Sequence, residues 1–387
     1  MSVCAITAEY NPFHSGHKYQ IDEVKKSFDT IVVIMSGSFT QRGGAAILNK
    51  WDRAKSAVMC GASLVLELPA AFAVNTAERF AYGAISIMNA LGCIDAVSFG
   101  SECGDINALT NAAKQLAYEE KSVSDKLAKY LKEGMSYAAA RTKAFDGVID
   151  SELLSNPNNI LALEYIRHLI LSESKIAPIT LKRQGGGYHS ESLSHSLASA
   201  SAIRAALSEP EKIKPHMPPA AFDILQSADK YYLSNLDNAA LFHIRSGKTE
   251  NLKSALECTE GIENRIYRAA AENSSIEAVA QASSSKRTPV SKIRRIILSS
   301  MLGIDAPLSY RAPQYARVLA FDKKGQSLLS DIKKTSSLTL VTKPSRFEDE
   351  MLKKDILAAD IHALCCENPK GRAAGSDFLR SPFVYEI

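Results

Sequence analysis

The chain has few of the features that mark membrane, secreted or zinc-binding proteins. Its 387 residues include seven cysteines, whose odd number and scattered spacing give neither a disulfide framework nor a zinc-ligand pattern. No apolar run approaches the length needed to cross a bilayer, and the first residues lack the basic region and long apolar run of a signal peptide. We therefore expect a cytoplasmic protein without a membrane segment or a protein-built metal site.

The charge balance is nearly even and excludes few classes of function. Lysine and arginine together number 46, and aspartate and glutamate number 42, which gives a formal net charge of +4. So small an excess does not require a polyanionic partner, and the distribution of charge matters more than its sum. With 46% hydrophobic and 23% charged residues, the composition is that of a globular protein. The length predicts two or three domains.

Strand and helix signals alternate through the first half of the chain. Short apolar runs that end in loops predict buried parallel strands at residues 3–6, 31–35, 64–68 and 96–99. Between and after them, helical spacing predicts helices at residues 50–60, 77–91, about 106–120, 122–145 and 159–171. This order predicts an α/β fold with a Rossmann-like, doubly wound parallel sheet.

A segment rich in proline and charge, residues 209–219, is the best candidate for a domain boundary. Beyond it, residues 220–303 are mostly helical in pattern. Strand-like residues 315–321 and 338–341 then flank a helix at about 327–334. We therefore predict three regions: an α/β domain over residues 1–208, a helical region over 220–305 and a small α/β unit over 306–387.

The strongest functional signal lies directly after the first predicted strand. His14 and His17 flank Gly16 where the chain leads into a helix. Glycine lets a phosphate approach the backbone, and a helix start offers free N–H donors. Each histidine adds a donor that is charged or neutral near pH 7. Ligands bind at this edge of open parallel sheets, so the motif predicts a nucleotide phosphate site. The alternative is that both histidines only cap the helix.

Together with this motif, several other stretches resemble the tRNA-methionine cytidine acetate ligase family, which belongs to the His-x-Gly-His nucleotidyltransferases. The resemblance extends from the first residues to about residue 345. It rests on residues 9–17, 35–43, 50–54, 67–69, 99–102 and 156–161, on Arg183, and on residues 187–189.

The resemblance implies a two-step reaction. ATP and acetate would form acetyl-adenylate and pyrophosphate, and the wobble cytidine of elongator tRNA-Met would then take the acetyl group on N4. ATP and Mg²⁺ would be the cofactors, with Mg²⁺ held mainly by phosphate oxygens and water. Two alternatives remain: a small-molecule nucleotidylyltransferase that shares the first domain, and an RNA-binding protein whose nucleotide site is inactive.

The resemblance also implies the residues of the site. His14, His17 and Arg204 would be catalytic, and residues 199–204 match the Ser-x-Ser/Thr-x-Ile-Arg motif that accompanies His-x-Gly-His. An ordinary N-cap by Ser199 or Ser201 is the alternative there. The residues expected to bind ATP are Thr7, Ala8, Glu9, Tyr10, Asn11, Pro12, Phe13, His14, Ser15, Gly16, His17, Lys18, Tyr19, Gln20, Gly100, Asn159, Arg183, Ser199 and Ser201.

A basic run precedes and enters a predicted helix that starts near Pro289. Backbone contacts to a polyanion require such a cluster of cations, so we expect tRNA to bind here, mainly through phosphates and shape. A solvated charged helix face is the alternative. The residues of this predicted surface are Lys286, Arg287, Lys292, Arg294 and Arg295, and Arg42, Lys50 and Arg53 are further candidates for phosphate or RNA contact.

Overall fold

The structure is a computed structural model that describes residues 2–183, 198–259 and 261–386. At its centre lies one sheet. Its strands within the described residues are β1 Val3–Ala8, β2 Thr30–Ser36, β3 Leu64–Leu68, β4 Ala96–Ser101, β5 Ala177–Lys182, β6 Tyr315–Asp322, β7 Thr339–Val341 and β8 Phe383–Tyr385.

Helices cover both faces of this sheet. The first nine are α1 Ser15–Lys25, α2 Lys50–Met59, α3 Ala70–Ala73, α4 Ala77–Leu91, α5 Ile106–Ala117, α6 Lys121–Lys132, α7 Tyr137–Ala144, α8 Ser151–Ser155 and α9 Pro157–Leu171. They are followed by α10 Ala200–Ala205, α11 Pro210–Ile213, α12 Pro219–Ser227, α13 Asp237–Gly247, α14 Glu250–Lys253, α15 Ile262–Glu272, α16 Ile276–Ser283, α17 Val290–Leu302, α18 Ala306–Tyr310, α19 Lys323–Thr335, α20 Glu350–Leu364 and α21 Ser376–Leu379.

The strand order is β5-β4-β1-β2-β3-β6-β7, with β8 beside β6. β1 lies between β2 and β4 and pairs with both in parallel. The chain therefore winds outward from β1 in two directions, and the topological switch point falls between β1 and β4. Ligands bind at such a point, at the carboxyl ends of the strands. The predicted doubly wound α/β fold is confirmed.

The strands of residues 306–387 do not form a sheet of their own. β6 pairs antiparallel with β3, with Glu67 opposite Arg317, and β7 and β8 pair with β6 in parallel. Tyr315 and Leu319 in β6 are fully buried, so this strand needs covered faces and a paired edge, and the central sheet supplies both. The expected small C-terminal unit thus extends the central sheet. The domain boundaries themselves stay a prediction.

Glycine and proline mark several helix boundaries. Gly92 ends α4 in the left-handed conformation, with φ +70°, as the sequence predicts. The single helix predicted at residues 122–145 is instead two, α6 and α7, because Gly134 between them has φ +98°. Pro289 is the N-cap of α17, which confirms the predicted start of the basic helix.

The apolar residues form one core on each side of the sheet. One contains Phe72 and Phe99, and the other contains Tyr10, Phe13 and Trp51. Within the described residues, none of the helices is both long and apolar enough to span a membrane.

Candidate active site

His14 and His17 are locked together at the start of α1. His14 is the N-cap, and its Nδ1 accepts a hydrogen bond from the Gly16 N–H at 3.0 Å. His17 Nδ1 accepts from the His14 N–H at 3.2 Å, and the two rings stack with centroids 3.7 Å apart. The capping role that the sequence leaves as an alternative is therefore present, but it uses only one nitrogen of each ring.

The other nitrogen of each ring carries the proton. Because both Nδ1 atoms accept backbone N–H groups, the neutral tautomer of each histidine is Nε2–H. Burial, together with the charges of Arg183 and Arg204, lowers the pKa of His14 to about 3. Burial and the neighbouring His14 and Arg183 lower the pKa of His17 well below its usual 6.5. The pair therefore contributes two uncharged donors at pH 7, and the positive charge comes from arginine.

A cleft at the topological switch point brings together much of the predicted nucleotide site. It lies between α1 and the carboxyl ends of β4 and β5. A Cβ on Gly16 would lie 2.9 Å from His14 Cε1 and would displace that ring, and one on Gly100 would make a tight contact of 3.2 Å with Arg183 Cγ. The lining residues are His14, Gly16, His17, Tyr19, Gln20, Gly100, Leu181, Lys182, Arg183, Ala198 and Ser199.

Arg204 ties the second motif to the first. Its Nη1 donates to the Asn11 carbonyl at 2.6 Å, and its Nη2 donates to Ser201 Oγ at 3.1 Å. Ser199 is the N-cap of α10, and its Oγ accepts from the Ala202 N–H at 3.1 Å. The two motifs, almost 190 residues apart in the chain, are thus joined beside the histidine pair. The match at residues 187–189 lies outside the described residues.

Asn159 supports the cleft through the backbone. Its side chain is 1% exposed, and its Oδ1 accepts from the N–H groups of Glu102 at 2.9 Å and Cys103 at 3.2 Å. The Glu102 carboxylate in turn accepts from the N–H groups of Asn158 and Asn159 at the start of α9. This reciprocal lock fixes the loop after Gly100. The predicted direct contact between Asn159 and nucleotide stays a prediction.

The remaining residues predicted to bind ATP shape the loop after β1. Tyr10 and Phe13 are 1% and 2% exposed, and Asn11 Oδ1 accepts from the Ile47 N–H at 2.7 Å. Lys18 forms an ion pair with Asp22 along α1. Thr7, Ala8, Pro12 and Ser15 belong to the same continuous strand, loop and helix start.

Lys50 and Arg53, which the sequence offers as phosphate or RNA contacts, are instead internal. Lys50 Nζ lies 2.8 Å from both Glu67 Oε2 and Asp377 Oδ2, and its side chain is 2% exposed. Arg53 is fully buried and donates to the carbonyls of Glu9, Ser36, Gly37 and Leu48. The predicted contact role is wrong for both, because both side chains are buried and bound within the protein. The sequence does not reveal this, since their partners lie in other segments of the chain. Arg42 stays a prediction.

The predicted basic surface is only partly a surface. Arg295 is 7% exposed, and its guanidinium donates to Glu257 at 2.5 and 2.9 Å. Arg294 donates to Glu277, and Arg287 donates to the Gly134 and Leu131 carbonyls at the end of α6. Lys286 is exposed and Lys292 is half-buried. Arg295 is therefore an internal ion-pair partner and not an exposed cation.

Comparison with known proteins shows the family to which this chain belongs. The family model described as HIGH Nucleotidyl Transferase matches residues 1–377, so the chain belongs to that class. A protein named tRNA(Met) cytidine acetate ligase, from Thermoanaerobacter sp. (strain X514), is 38% identical over 399 residues and covers 98% of each chain. A protein of the same name from Acetivibrio thermocellus is 36% identical over 99% of this chain and 100% of the relative. This chain is thus a member of the tRNA(Met) cytidine acetate ligase family.

Solved structures agree over the full length. Thermotoga maritima TmcAL bound with alpha-thio ATP is 29% identical and superposes with a TM-score of 0.92, covering 100% of both chains. The apo form of the same protein gives a TM-score of 0.94, again with 29% identity and full coverage.

Proposed function

We propose that this protein is a tRNA-modifying ligase. It activates acetate with ATP to acetyl-adenylate and acetylates N4 of the wobble cytidine of elongator tRNA-Met. The observation that carries this proposal is the pair of neutral, stacked histidines in the cleft at the β1/β4 switch point, beside Arg183 and Arg204. Relatives similar over the whole chain bear the name of this activity.

The first step places demands that this site meets. An acetate oxygen attacks the α-phosphorus, the bond to pyrophosphate breaks, and negative charge grows on the phosphate oxygens. Preorganised donors that need no rearrangement stabilise such charge. His14 and His17 offer Nε2–H groups held in place by the helix cap, and Arg204 and Arg183 supply positive charge. Neither histidine has to change its protonation state.

The second step needs no nucleophile from the enzyme. The cytidine amine attacks the acetyl carbon, loses a proton, and the bond to AMP breaks. Since the adenylate is itself an activated acyl group, a covalent enzyme intermediate is unnecessary. The cysteines fit this view: burial raises the pKa of Cys4 to about 12 and that of Cys60 to about 11, so both thiols stay protonated.

The proposed reaction also requires Mg²⁺ and tRNA to bind. Among the described residues, no cluster of three or more His, Cys, Asp or Glu side chains could hold a metal ion. Mg²⁺ would accordingly be held by triphosphate oxygens and water, as it commonly is in nucleotide sites. Lys286, Arg287, Lys292 and Arg294 would contact tRNA phosphates at the start of α17. Reaction with tRNA would take place in the cytoplasm.

The test is a nucleoside analysis. Unmodified elongator tRNA-Met is incubated with the protein, ATP, Mg²⁺ and labelled acetate, then digested and analysed by mass spectrometry. We expect label in N4-acetylcytidine with the wild type and a large loss with His17→Ala. Pyrophosphate release without labelled tRNA would instead indicate a small-molecule nucleotidylyltransferase. The absence of both signals would indicate an inactive RNA-binding protein.

A further inference from the structure

We propose that Arg295 is a positioning residue for acetyl transfer, acting through the loop of residues 37–46, which we call the acceptor-side loop. This inference rests on the proposed ligase function. Arg295 would hold the loop where the incoming cytidine meets the acetyl-adenylate, and it would contact neither ATP nor tRNA itself.

Around Gln41, the acceptor-side loop contacts the segment that carries the histidines. The Gln41 N–H donates to Glu9 Oε1 at 2.7 Å, and Glu9 directly follows β1 on the way to His14. Gln41 Nε2 also donates to the Asn75 carbonyl at 2.9 Å. Beneath the loop, buried Arg53 donates to the carbonyls of Ser36 and Gly37. A shift of Gln41 would therefore be felt at the start of the catalytic segment.

Two residues further on, at Gly43, the loop packs tightly against α17. Gly43 has φ +74°, a conformation that favours glycine. A Cβ at this position would lie 2.7 Å from Arg294 Cβ and 2.9 Å from the Arg295 backbone nitrogen. The loop backbone thus lies directly on the helix that begins with the proposed tRNA surface.

Arg295 fastens this contact. Two of its guanidinium nitrogens donate to the two oxygens of Glu257, and Nη1 lies 3.5 Å from the Gln41 carbonyl. Glu257 has φ +62°, which is uncommon outside glycine and indicates that its surroundings fix its position. The planar, two-pronged guanidinium suits this geometry, and a lysine would keep the charge without the fork.

The placement of the loop suggests what it does. The switch-point cleft is lined on its β4 and β5 side by Gly100 and Arg183. The acceptor-side loop follows β2, on the opposite side of β1, and so borders the catalytic segment from the other direction. It also packs against α17 at Gly43. A nucleotide delivered by tRNA bound along α17 would therefore approach the adenylate past this loop.

The experiment compares Arg295→Gln with the wild type in three measurements: ATP affinity by calorimetry, tRNA affinity by filter binding, and kcat of acetyl transfer at saturating substrates. We expect both affinities to stay within about twofold and kcat to fall at least about tenfold. Arg295→Lys should recover part of kcat. Arg141→Gln is the matched control, because Arg141 forms a largely buried pair with Glu164 at 3.1 Å in another part of the fold.

A second variant keeps the test decisive if Arg295→Gln does not fold. Gly43→Ala should push the loop off α17 and give the same division between binding and turnover. Its control is Gly147→Ala, since Gly147 has φ +77° but no atom within 4 Å of the added Cβ.

Each other outcome overturns the proposal. Weaker tRNA binding with unchanged kcat would make Arg295 a phosphate contact, and weaker ATP binding would make the loop part of the nucleotide site. Unchanged values would give Arg295 no role. If the wild type made no N4-acetylcytidine, the proposed function itself would fail, which is a distinguishable result.

Discussion

Two polar clusters lie near the carboxyl ends of strands in the same sheet, yet they serve opposite purposes. Near β1, His14 and His17 stack as neutral rings. Near the end of β3, Lys50 and Arg317 are buried with Glu67 and Asp377, which neutralise them. Among the described residues, no carboxylate pairs with either histidine, whereas the charges of the second cluster balance one another.

This difference shows how a ligand site can be recognised among buried polar groups. Burial alone does not distinguish the clusters, because His14 and Lys50 are both buried, at 7% and 2% exposed. The balance of donors and acceptors does: an anion can complete the histidine cluster, whereas Lys50 already has two carboxylates within 2.8 Å. Four predictions test this contrast.

Lys50→Met should mainly affect stability. The change would leave Glu67 and Asp377 buried with Arg317 alone, and breaking a buried ion pair from one side costs about 3–5 kcal/mol. We expect the free energy of unfolding in urea to fall by that amount. Below the unfolding transition, kcat of the folded protein should stay near that of the wild type. A large loss of kcat in fully folded protein would place Lys50 in the chemistry and erase the contrast.

His17→Ala should have the opposite profile. Loss of one preorganised donor at a site of developing charge costs about 10²–10³-fold in kcat. Loss of the reciprocal cap should cost only about 1 kcal/mol of stability. Kinetics of tRNA acetylation and a urea titration on the same sample measure both. Full activity in this variant would mean that the histidine pair has only its capping role.

Asn159→Ala should affect both properties moderately. The Glu102 and Cys103 N–H groups would lose their acceptor, and an unsatisfied buried group costs about 1–3 kcal/mol. Because these N–H groups fix the loop after Gly100, KM for ATP should rise more than kcat falls. Exposed Asn107 on α5 gives a matched control, Asn107→Ala. A change in kcat alone would contradict a role in positioning the loop.

The pH dependence should be the smallest effect per residue. The folded pKa of His14 and of His362, about 3 in each case, lies below the unfolded value of 6.5. Protons therefore favour the unfolded chain, so this stability is present above pH 6.5 and is lost as pH falls towards 3. Between pH 7.5 and 6.0 each such histidine should cost about 0.8 kcal/mol. Urea titrations at both pH values should show a smaller difference in His14→Ala than in the wild type, and an equal difference would contradict a neutral His14.

The sequence predicts best what is local. The apolar runs locate β1 to β4, β6 and β7, and helical spacing with Gly92 predicts the bounds of α4. The histidine motif and the strand alternation together place the cleft, because ligands bind at the switch point of such sheets. Each of these inferences depends only on neighbouring residues.

What the sequence does not predict depends on partners far along the chain. Lys50 pairs with Asp377, 327 positions away, and Arg295 with Glu257, 38 positions away. A cation looks the same in sequence whether it faces solvent or a buried carboxylate. The antiparallel pairing of β6 with β3 is hidden for the same reason. The neutral state of the histidines also required the structure, since it follows from burial and from what each Nδ1 accepts.

The most direct test of this account is a ¹⁵N NMR titration of the histidine rings, with His14→Ala and His17→Ala used for assignment. We predict that both rings keep the neutral Nε2–H form from pH 8 to pH 5. ATP should then shift the Nε2 signals without uptake of a proton by either ring. A ring that titrates near pH 6.5, or that carries its proton on Nδ1, would contradict a site built from uncharged donors.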